Sequence, residues 1–352
     1  MKVAIFLPNW LGDAVMATPT LRALREHFGP QGRLIGILRP NLADLLSGTD
    51  WLDEQWYFQP GAGQREFRSW SLLGRMRREK FDLAVLMPNS LRPALIAWLA
   101  GVKQRIGYVR NGRGPLLTGR LCFPDGNCRR LAMPMVEYYQ RLAELAGCRP
   151  QSPRLELATI KAEECAADAV WQRLGLRGDG RVVLLNPGGA YGPAKLWPLE
   201  YFGELARRVA GRLDHDVLVV CGPTERELAR DVVRRAGHPR VFSLAEQPIN
   251  LGMSKACIRR GRVMVSNDSG PRHVAAAFHK PVITLFGPFL PIWCENPTVR
   301  GVHLVRDDLD CIGCRKRTCP LGHHRCMRQI TVDMVYRAIV QVLDREKAAQ
   351  AA

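Results

Sequence analysis

The sequence predicts an α/β protein with two doubly wound parallel sheets, and three observations support this fold class. Short apolar runs recur along the chain with helical stretches between them. The runs are continuous rather than alternating, which is typical of parallel strands covered by helices on both faces. The chain of 352 residues also exceeds what one hydrophobic core normally supports, so two domains are expected. The predicted strands are residues 3–7, 34–38, 83–87, 182–185, 217–221, 263–266 and 282–286.

A polar passage with two prolines, residues 148–154, separates the first three predicted strands from the last four. Such a composition suits a connection between domains. We therefore predict domains at residues 1–160 and 161–330, followed by a helix over about 331–347 with one apolar stripe. Parallel sheets bind ligands at the carboxyl ends of their strands, so two such domains should enclose a cleft there.

Basic residues dominate the chain, with 51 Lys and Arg against 33 Asp and Glu and a formal charge of +18. A surface of this kind favours anionic partners, whether nucleic acid, nucleotide or phosphorylated glycolipid. No stretch approaches the ~20 apolar residues of a membrane span, and the first strand lacks a cleavable signal pattern. A cytoplasmic protein is therefore expected.

The strongest functional signal lies in residues 263–288, where a strand, the run Asn-Asp-Ser-Gly at 267–270, a short helix and a second strand follow one another. Free N–H groups at the start of the helix, with His273 one turn further in, favour an anionic ligand. The alternative is that Asp268 or Ser269 only caps the helix. The residues together favour a ligand site.

Another candidate follows the first strand. Gly12 permits a sharp turn, so that Asp13 would project from the carboxyl end of the strand as a general base. Alternatively, Asp13 is an N-cap. Pro19 fits the first turn of a helix capped by Thr18, which would leave Asp13 on a loop and favours the functional interpretation.

The second domain opens with a strand and a loop rich in glycine and proline, residues 186–198. A constrained loop can aim Lys195 at a phosphate, although the P-loop spacing is missing and a solvated lysine is the alternative. After the strand ending at Cys221, Thr224 caps a helix beginning at Glu225, or Glu225 accepts from a sugar or ribose hydroxyl.

The chain has eleven cysteines, and we expect most of them to be small buried apolar residues. Four of them lie within sixteen residues near the carboxyl terminus, together with two histidines: Cys311, Cys314, Cys319 and Cys326. They could surround zinc, but zinc ribbons separate their cysteine pairs by more, and thiols that pack a loop or exchange disulfides are favoured. We assign no metal site.

Three ordered motifs, residues 9–13, 186–198 and 266–288, together resemble the lipopolysaccharide heptosyltransferases of glycosyltransferase family 9. The resemblance runs nearly end to end and includes the phrase Leu-Met-Pro-Asn-Ser at 86–90. The phrase Gly-Pro-Ala-Lys-Leu-Trp-Pro is most similar to the type II branch of the family. Pro271 and Arg272 depart from the apolar residues usual in the family, and the cysteine segment occurs only in some members.

This resemblance implies a GT-B enzyme whose two Rossmann-like domains face a central cleft. The first would hold an anionic glycolipid acceptor and the second ADP-heptose. Heptose would move with inversion from ADP-L-glycero-β-D-manno-heptose to the inner-core heptose of a lipopolysaccharide precursor, heptosyl-Kdo-lipid A, with no cofactor required. The enzyme would be cytoplasmic, in peripheral contact with the inner membrane surface and without a nucleic-acid partner. Its last helix, 331–352, would pack back on the first domain.

Carried over by position, the catalytic residues would be Asp13, which deprotonates the acceptor, and Lys195, which neutralises the departing diphosphate. With His273 and helix N–H groups, Lys195 would replace a divalent cation. The donor-binding residues would be Ala190, Tyr191, Lys195, Glu225, Ile249, Asp268, Ser269, Gly270 and His273.

Two alternatives remain. The first is another enzyme on the same scaffold: a heptosyltransferase of type I or III, a transferase of another nucleotide sugar, or a nucleotide-sugar epimerase. The second is a basic nucleic-acid-binding protein with a zinc module, which explains the charge and the cysteines but leaves residues 186–195 unexplained.

Overall fold

The computed structural model describes residues 1–61, 63–122, 133–178 and 180–351. The chain divides into two compact units, the first formed by Met1–Ala158 with Ile292–Asn296 and the second by Thr159–Pro291 with Pro297–Ala352. Each unit is built on one six-stranded sheet whose neighbouring strands are all parallel. The predicted α/β class with two parallel sheets is confirmed.

The first sheet has the strand order β3-β2-β1-β4-β5-β6. Its central strands are almost completely buried. The elements of this unit are β1 (Lys2–Phe6), α1 (Leu11–Met16), α2 (Thr18–Phe28), β2 (Arg33–Leu38), β3 (Glu54–Tyr57), α3 (Ser69–Glu79), β4 (Leu83–Leu86), α4 (Leu91–Leu99), β5 (Gln104–Tyr108), β6 (Gly119–Leu121) and α5 (Met135–Leu145).

The second sheet repeats this plan, with the order β12-β11-β10-β7-β8-β9. Its elements are α6 (Lys161–Leu174), β7 (Val182–Asn186), α7 (Leu199–Arg212), β8 (Asp216–Val219), α8 (Arg226–Ala236), β9 (Val241–Ser243), α9 (Leu251–Arg260), β10 (Val263–Asn267), α10 (Gly270–Ala277), β11 (Val282–Leu285), β12 (Gly301–Leu304), α11 (Arg325–Arg328) and α12 (Val332–Ala351). Within this unit α12 packs on α7 and on β10 to β12. The predicted return of this helix to the first unit stays a prediction.

Each sheet reverses its winding direction once, between β1 and β4 in the first and between β7 and β10 in the second. Loops that leave the carboxyl ends of the two strands at such a point diverge and open a crevice in which parallel α/β sheets bind ligands. The loops after β1, β4, β7 and β10 are therefore where each unit is expected to bind its ligand.

All seven predicted strands occur, with ends shifted by one or two residues. Five strands were missed: β3, β5, β6, β9 and β12. Four of these lie at sheet edges, where one side of the strand is less covered, so their sequences mix polar and apolar residues rather than forming an apolar run. The strand β3, for example, reads Glu-Gln-Trp-Tyr and buries only Trp56.

The expectation that most cysteines are buried was wrong. Of the ten described, only Cys148, Cys221 and Cys257 are buried, whereas the four of the carboxyl-terminal segment are half-buried. Across the described helices, none combines the length and the apolar character needed to cross a bilayer.

Candidate active site

Asp13 lies in the first turn of α1, directly after β1. The sequence had suggested that Asp13 lies on a loop or is an N-cap, and both suggestions are wrong. The N-cap is Trp10, and the peptide N–H of Ala17 donates to Asp13 O at 3.0 Å. Thr18 does not cap α2 but is its first residue, with Pro19 in the first turn as predicted. A carboxylate in the first turn is stabilised in its charged form by the helix N–H groups.

A buried polar network follows β4, across the switch point from Asp13. Asn89 Oδ1 accepts from Arg113 Nη2 at 3.0 Å and from the Tyr138 hydroxyl at 2.9 Å. Arg113 is completely buried, which lowers its pKa to about 10. Burial raises the pKa of Tyr138 to about 12, and the negative charge of Asp13 adds to this rise. The helix that carries Asp13, α1, packs on α5, which carries Tyr138.

Sequence reasoning missed Arg113 and Tyr138 as members of the site. The phrase at 86–90 contains Asn89, which was the available signal, but its two partners are 24 and 49 residues away along the chain. A second tyrosine of α5, Tyr139, is also buried, and burial together with the charge of Asp13 holds its pKa well above the usual range.

In the second unit, Lys195 and Asp268 meet after β7 and β10. Lys195 Nζ lies 2.7 Å from Asp268 Oδ2 and donates to the backbone O of Asp268 at 3.0 Å. Arg272 takes the other carboxylate oxygen, with Nη2 and Nε donating to Oδ1 at 2.9 and 3.1 Å. Although burial opposes ionisation, Arg272 and then Lys195 hold the pKa of Asp268 well below its usual range.

Asp268 does not cap α10, because Ser269 holds the N-cap position and the Asp268 carboxylate is shared between Lys195 and Arg272. Its role in holding the diphosphate stays a prediction. Arg272, which stands where the family usually has an apolar residue, is buried at 5% exposure and lies over the Phe286 ring. We call Lys195, Asp268 and Arg272 the cluster. Its two cations and one anion give one net positive charge, which suits an anionic ligand.

His273 lies next to this cluster in α10 and is buried. Burial, followed by the charges of Arg272 and Lys195, keeps its pKa well below the usual value. A neutral imidazole can donate or accept a hydrogen bond, but it does not neutralise a phosphate. The role of His273 beside the diphosphate stays a prediction, and a neutral ring would fill it through a hydrogen bond.

Two asparagines fix the loops on either side of the switch point. Asn186 Nδ2 donates to Ser269 Oγ at 2.6 Å and to Ser266 Oγ at 2.9 Å. Asn267 Nδ2 donates to the backbone O of Pro187 at 2.7 Å, and its Oδ1 accepts from the Trp197 N–H at 3.1 Å. Buried side-chain amides that satisfy backbone groups of another loop hold that loop in one position.

Glu225 ties two loops together. Its Oε1 accepts from the Gly189 N–H and its Oε2 from the Gly222 N–H, both at 2.9 Å. Thr224 does not cap α8: both residues lie in a short 3₁₀ helix, and Glu225 is the N-cap. A Cβ at Gly188 would lie 2.2 Å from Glu225 Oε1, so a larger residue there would displace the carboxylate that joins the two loops.

The cysteine-bearing segment supports the loop that carries Lys195. Arg317 O accepts from the Ala194 N–H at 3.0 Å, and His324 Nε2 lies 2.8 Å from Ala194 O. The Tyr191 hydroxyl donates to Arg315 O at 2.8 Å. These contacts place Lys195 by fixing the backbone next to it.

Lys195 is also placed by two aromatic rings of its surroundings. Its Nζ lies 4.2 Å from the ring centre of Phe289 and 5.3 Å from that of Tyr191. The ammonium group is thus held between the Asp268 carboxylate and two ring faces, which attract a cation.

The remaining predicted donor-binding residues contribute backbone groups or exposed side chains rather than charged groups. Gly270 is the first residue of α10, Ala190 is exposed, and Ile249 is half-buried just before α9, with its N–H donating to Gln247 O at 2.9 Å. Gly270 lies where helix N–H groups point outward.

The four thiols of the carboxyl-terminal segment lie near one another. Burial raises the pKa of Cys326 to about 11, and the charges of Cys319, Cys311 and Cys314 add to that rise. Within the described ranges, however, no three side chains of His, Cys, Asp or Glu are arranged to hold a metal ion.

Asp268→Asn should destabilise the second unit by about 2 kcal/mol, because two largely buried cations lose their shared anion. The depressed pKa of Asp268 makes this stabilisation fully present above its unfolded pKa of about 3.9, and it is lost as the pH falls below that value. Urea unfolding at pH 7 and pH 3 measures this: the difference between wild type and variant should shrink at pH 3.

The matched control is Asp308→Asn, which breaks an exposed ion pair of 2.6 Å with Arg306. Exposed pairs contribute little, so this variant should unfold at nearly the same urea concentration as wild type. If both substitutions lowered the free energy of unfolding equally, the buried cluster would not stabilise the second unit more than an exposed ion pair does.

A comparison with known families identifies the chain. The model of glycosyltransferase family 9 (heptosyltransferase) matches residues 69–325, most of the sequence. The protein belongs to glycosyltransferase family 9. It is therefore a transferase, and the family predicted from the three motifs is confirmed.

Two relatives illustrate the similarity. Lipopolysaccharide heptosyltransferase 2 of Escherichia coli (strain K12) is 27% identical over 99% of this chain and 100% of its own. Lipooligosaccharide heptosyltransferase 2 of Haemophilus ducreyi is 28% identical over 97% of this chain and 99% of its own.

Solved structures show the same fold. The family 9 glycosyltransferase of Veillonella parvula superimposes with a TM-score of 0.82 at 23% identity, covering 98% of this chain and 97% of its own. ADP-heptose LPS heptosyltransferase II of E. coli gives 0.78 at 24% identity, covering 99% and 100%. Both are GT-B enzymes, so the predicted GT-B architecture of this family 9 member is confirmed.

Proposed function

We propose that this family 9 enzyme transfers heptose from ADP-L-glycero-β-D-manno-heptose to the inner-core heptose of the lipopolysaccharide precursor heptosyl-Kdo-lipid A. The observation that carries the proposal is the net positive cluster of Lys195, Asp268 and Arg272 at the switch point of the second sheet. It fits a nucleoside diphosphate. The names of the relatives, which are heptosyltransferases of lipopolysaccharide or lipooligosaccharide, support the sugar and the acceptor class.

The first unit supplies the base. Asp13 takes the proton of the attacking acceptor hydroxyl as its oxygen bonds to the anomeric carbon of heptose. The bond between this carbon and the diphosphate oxygen breaks, and its electron pair leaves with ADP. Attack opposite to the leaving group inverts the anomeric centre. A positioned carboxylate is suited to this proton transfer.

The second unit stabilises the leaving group. As negative charge grows on the diphosphate, Lys195 exchanges part of its contact with Asp268 for the phosphate oxygens, and Arg272 keeps Asp268 neutralised. The N–H groups at the start of α10 add donors at the same place. With these groups we propose that no metal ion is required.

The other predicted donor residues take narrower roles. His273 contributes a hydrogen bond to the diphosphate or the sugar rather than a charge. Glu225 uses one lone pair of each oxygen on Gly189 and Gly222, and a second lone pair can accept from a ribose or heptose hydroxyl. We propose that the enzyme works on the cytoplasmic face of the inner membrane, where its glycolipid acceptor would be anchored.

Incubation of the purified protein with a panel of ADP- and UDP-sugars and heptosyl-Kdo-lipid A, read by product mass, tests the proposal. We expect the acceptor to gain one heptose, and only from ADP-heptose. Transfer to an acceptor that lacks heptose would indicate type I activity instead, and conversion of a free nucleotide sugar without acceptor would indicate an epimerase. Transfer only from UDP-sugars would contradict the proposed donor.

A further inference from the structure

Large apolar side chains are exposed along one line of α4. Leu91, Leu95 and Trp98 are 45%, 37% and 50% exposed. Positions separated by four and three residues lie on the same face of a helix. We call these three residues the α4 face. A contiguous exposed apolar surface of this kind marks an interaction site.

Packing within the unit does not account for the α4 face. The opposite side of the helix already supplies Ala94, Ile96 and Ala97 to the core of the first unit. The helix is thus apolar on the side that faces the core and on the side that faces solvent. The α4 face therefore needs an apolar partner from outside the unit.

The charge around the α4 face identifies the kind of partner. The stretch of chain that contains α4, residues 83–124, has six Lys and Arg and no Asp or Glu, and of these six Arg113 is buried inside the unit. Arg92 is exposed beside Leu91, and Arg77 of α3 reaches the end of the helix, where its Nε donates to Leu99 O at 3.0 Å. Apolar and tryptophan side chains flanked by arginines match the boundary between the headgroups and the acyl chains of an anionic bilayer.

A cavity connects the α4 face with the loop that leads to Asp13. The cavity has a volume of about 620 Å³ and is lined by Leu91, Leu95 and Asn9, among others. Asn9 directly precedes Trp10, which is 54% exposed, and lies four residues before Asp13. If the α4 face rests on a membrane, Asp13 lies on the side of the unit that a membrane-anchored acceptor would approach.

We propose that the α4 face is a membrane-binding surface that docks on anionic phospholipid and presents the Asp13 loop to the bilayer. The choice of acceptor rests on the proposed function, whereas docking on the lipid does not. A salt-sensitive, peripheral attachment follows, because the arginines supply the attraction and the three apolar residues insert only to headgroup depth.

Cosedimentation of the full chain with vesicles tests this surface. We expect wild type to bind vesicles of phosphatidylethanolamine and phosphatidylglycerol at least tenfold more than pure phosphatidylcholine vesicles, and 0.5 M salt to release it. Leu95→Ser combined with Trp98→Ser should lower binding about tenfold. Leu145→Ser combined with Ile160→Ser is the matched control, since these side chains are 37% and 43% exposed elsewhere in the chain. The control should bind like wild type.

Three results would overturn the proposal. Wild type could stay in the supernatant with every vesicle, or both double variants could lose vesicle binding equally. In the third, wild type is a dimer that dissociates in the Leu95→Ser, Trp98→Ser variant. The last would make the α4 face a protein interface. Thermal unfolding of each variant confirms that the fold persists. Lipid binding is measured without donor or transfer. The vesicle-binding result can therefore be interpreted even if the heptose-transfer assay fails.

Discussion

Asp13→Asn should lower the rate of transfer by about 10²–10⁴-fold, the usual contribution of a positioned general base. The amide has the shape of the carboxylate but cannot take the acceptor proton. Because Lys195, Asp268 and Arg272 belong to the other unit, ADP affinity should be nearly unchanged. Steady-state transfer to heptosyl-Kdo-lipid A and calorimetric titration with ADP measure the two effects separately.

The control for this substitution is Asp50→Asn, an exposed carboxylate of the same unit. It should transfer heptose at the wild-type rate. If Asp13→Asn kept normal turnover, the base would have to be sought elsewhere. If it lost ADP binding as well, the substitution would have disturbed more than the proton transfer.

The position of Asp13 could be predicted only in part. Sequence placed it correctly after the first buried strand, because continuous apolar runs identify central parallel strands well. It placed the residue on a loop because Thr18 and Pro19 resemble a helix start. In the structure Ala17, which has helical backbone angles, joins α1 to α2. A helix of six residues is too short to show a periodic pattern.

The donor-side residues were predicted better by position than by chemistry. Asp268, Lys195 and His273 do lie together, but their roles depend on which cations pair with the Asp268 carboxylate. The role of Arg272 was the open point: it pairs with Asp268 and lowers the pKa of His273. Nothing in the local sequence distinguishes an arginine that turns inward to a carboxylate four residues earlier from one that faces solvent.

The long-range polar contacts could not be predicted from a single sequence. Asn89 meets Arg113 and Tyr138, and Ala194 meets His324 and Arg317, across 24 to 130 residues of chain. Periodicity reports which side of an element is buried, but not which distant loop completes a hydrogen bond. Such supporting contacts fix the geometry of the site, and only the folded chain shows them.

Lys195→Ala should lower kcat by about 10²–10³-fold and raise the KM for the donor, as expected when one group that stabilises developing charge is removed. The cluster then falls from one net positive charge to none, since Asp268 remains paired with Arg272. The same pairing should preserve the fold, because Asp268 is not left as an unpaired buried anion. Transfer kinetics at varied ADP-heptose and thermal unfolding measure these effects.

Two further variants isolate the charge of Lys195. Lys161→Ala, at an exposed lysine in α6, should behave like wild type. Adding Asp268→Asn to Lys195→Ala returns the cluster to one net positive charge, on Arg272. The rate should still stay close to that of Lys195→Ala if Lys195 itself must contact the diphosphate and Asp268 acts by positioning it, whereas recovery of the rate would mean that the net charge alone suffices. A large further loss would mean that Asp268 contacts the substrate itself, and unchanged kinetics in Lys195→Ala alone would remove this lysine from the mechanism. The double variant therefore decides whether the second unit stabilises the departing ADP through one cation that a carboxylate holds in place.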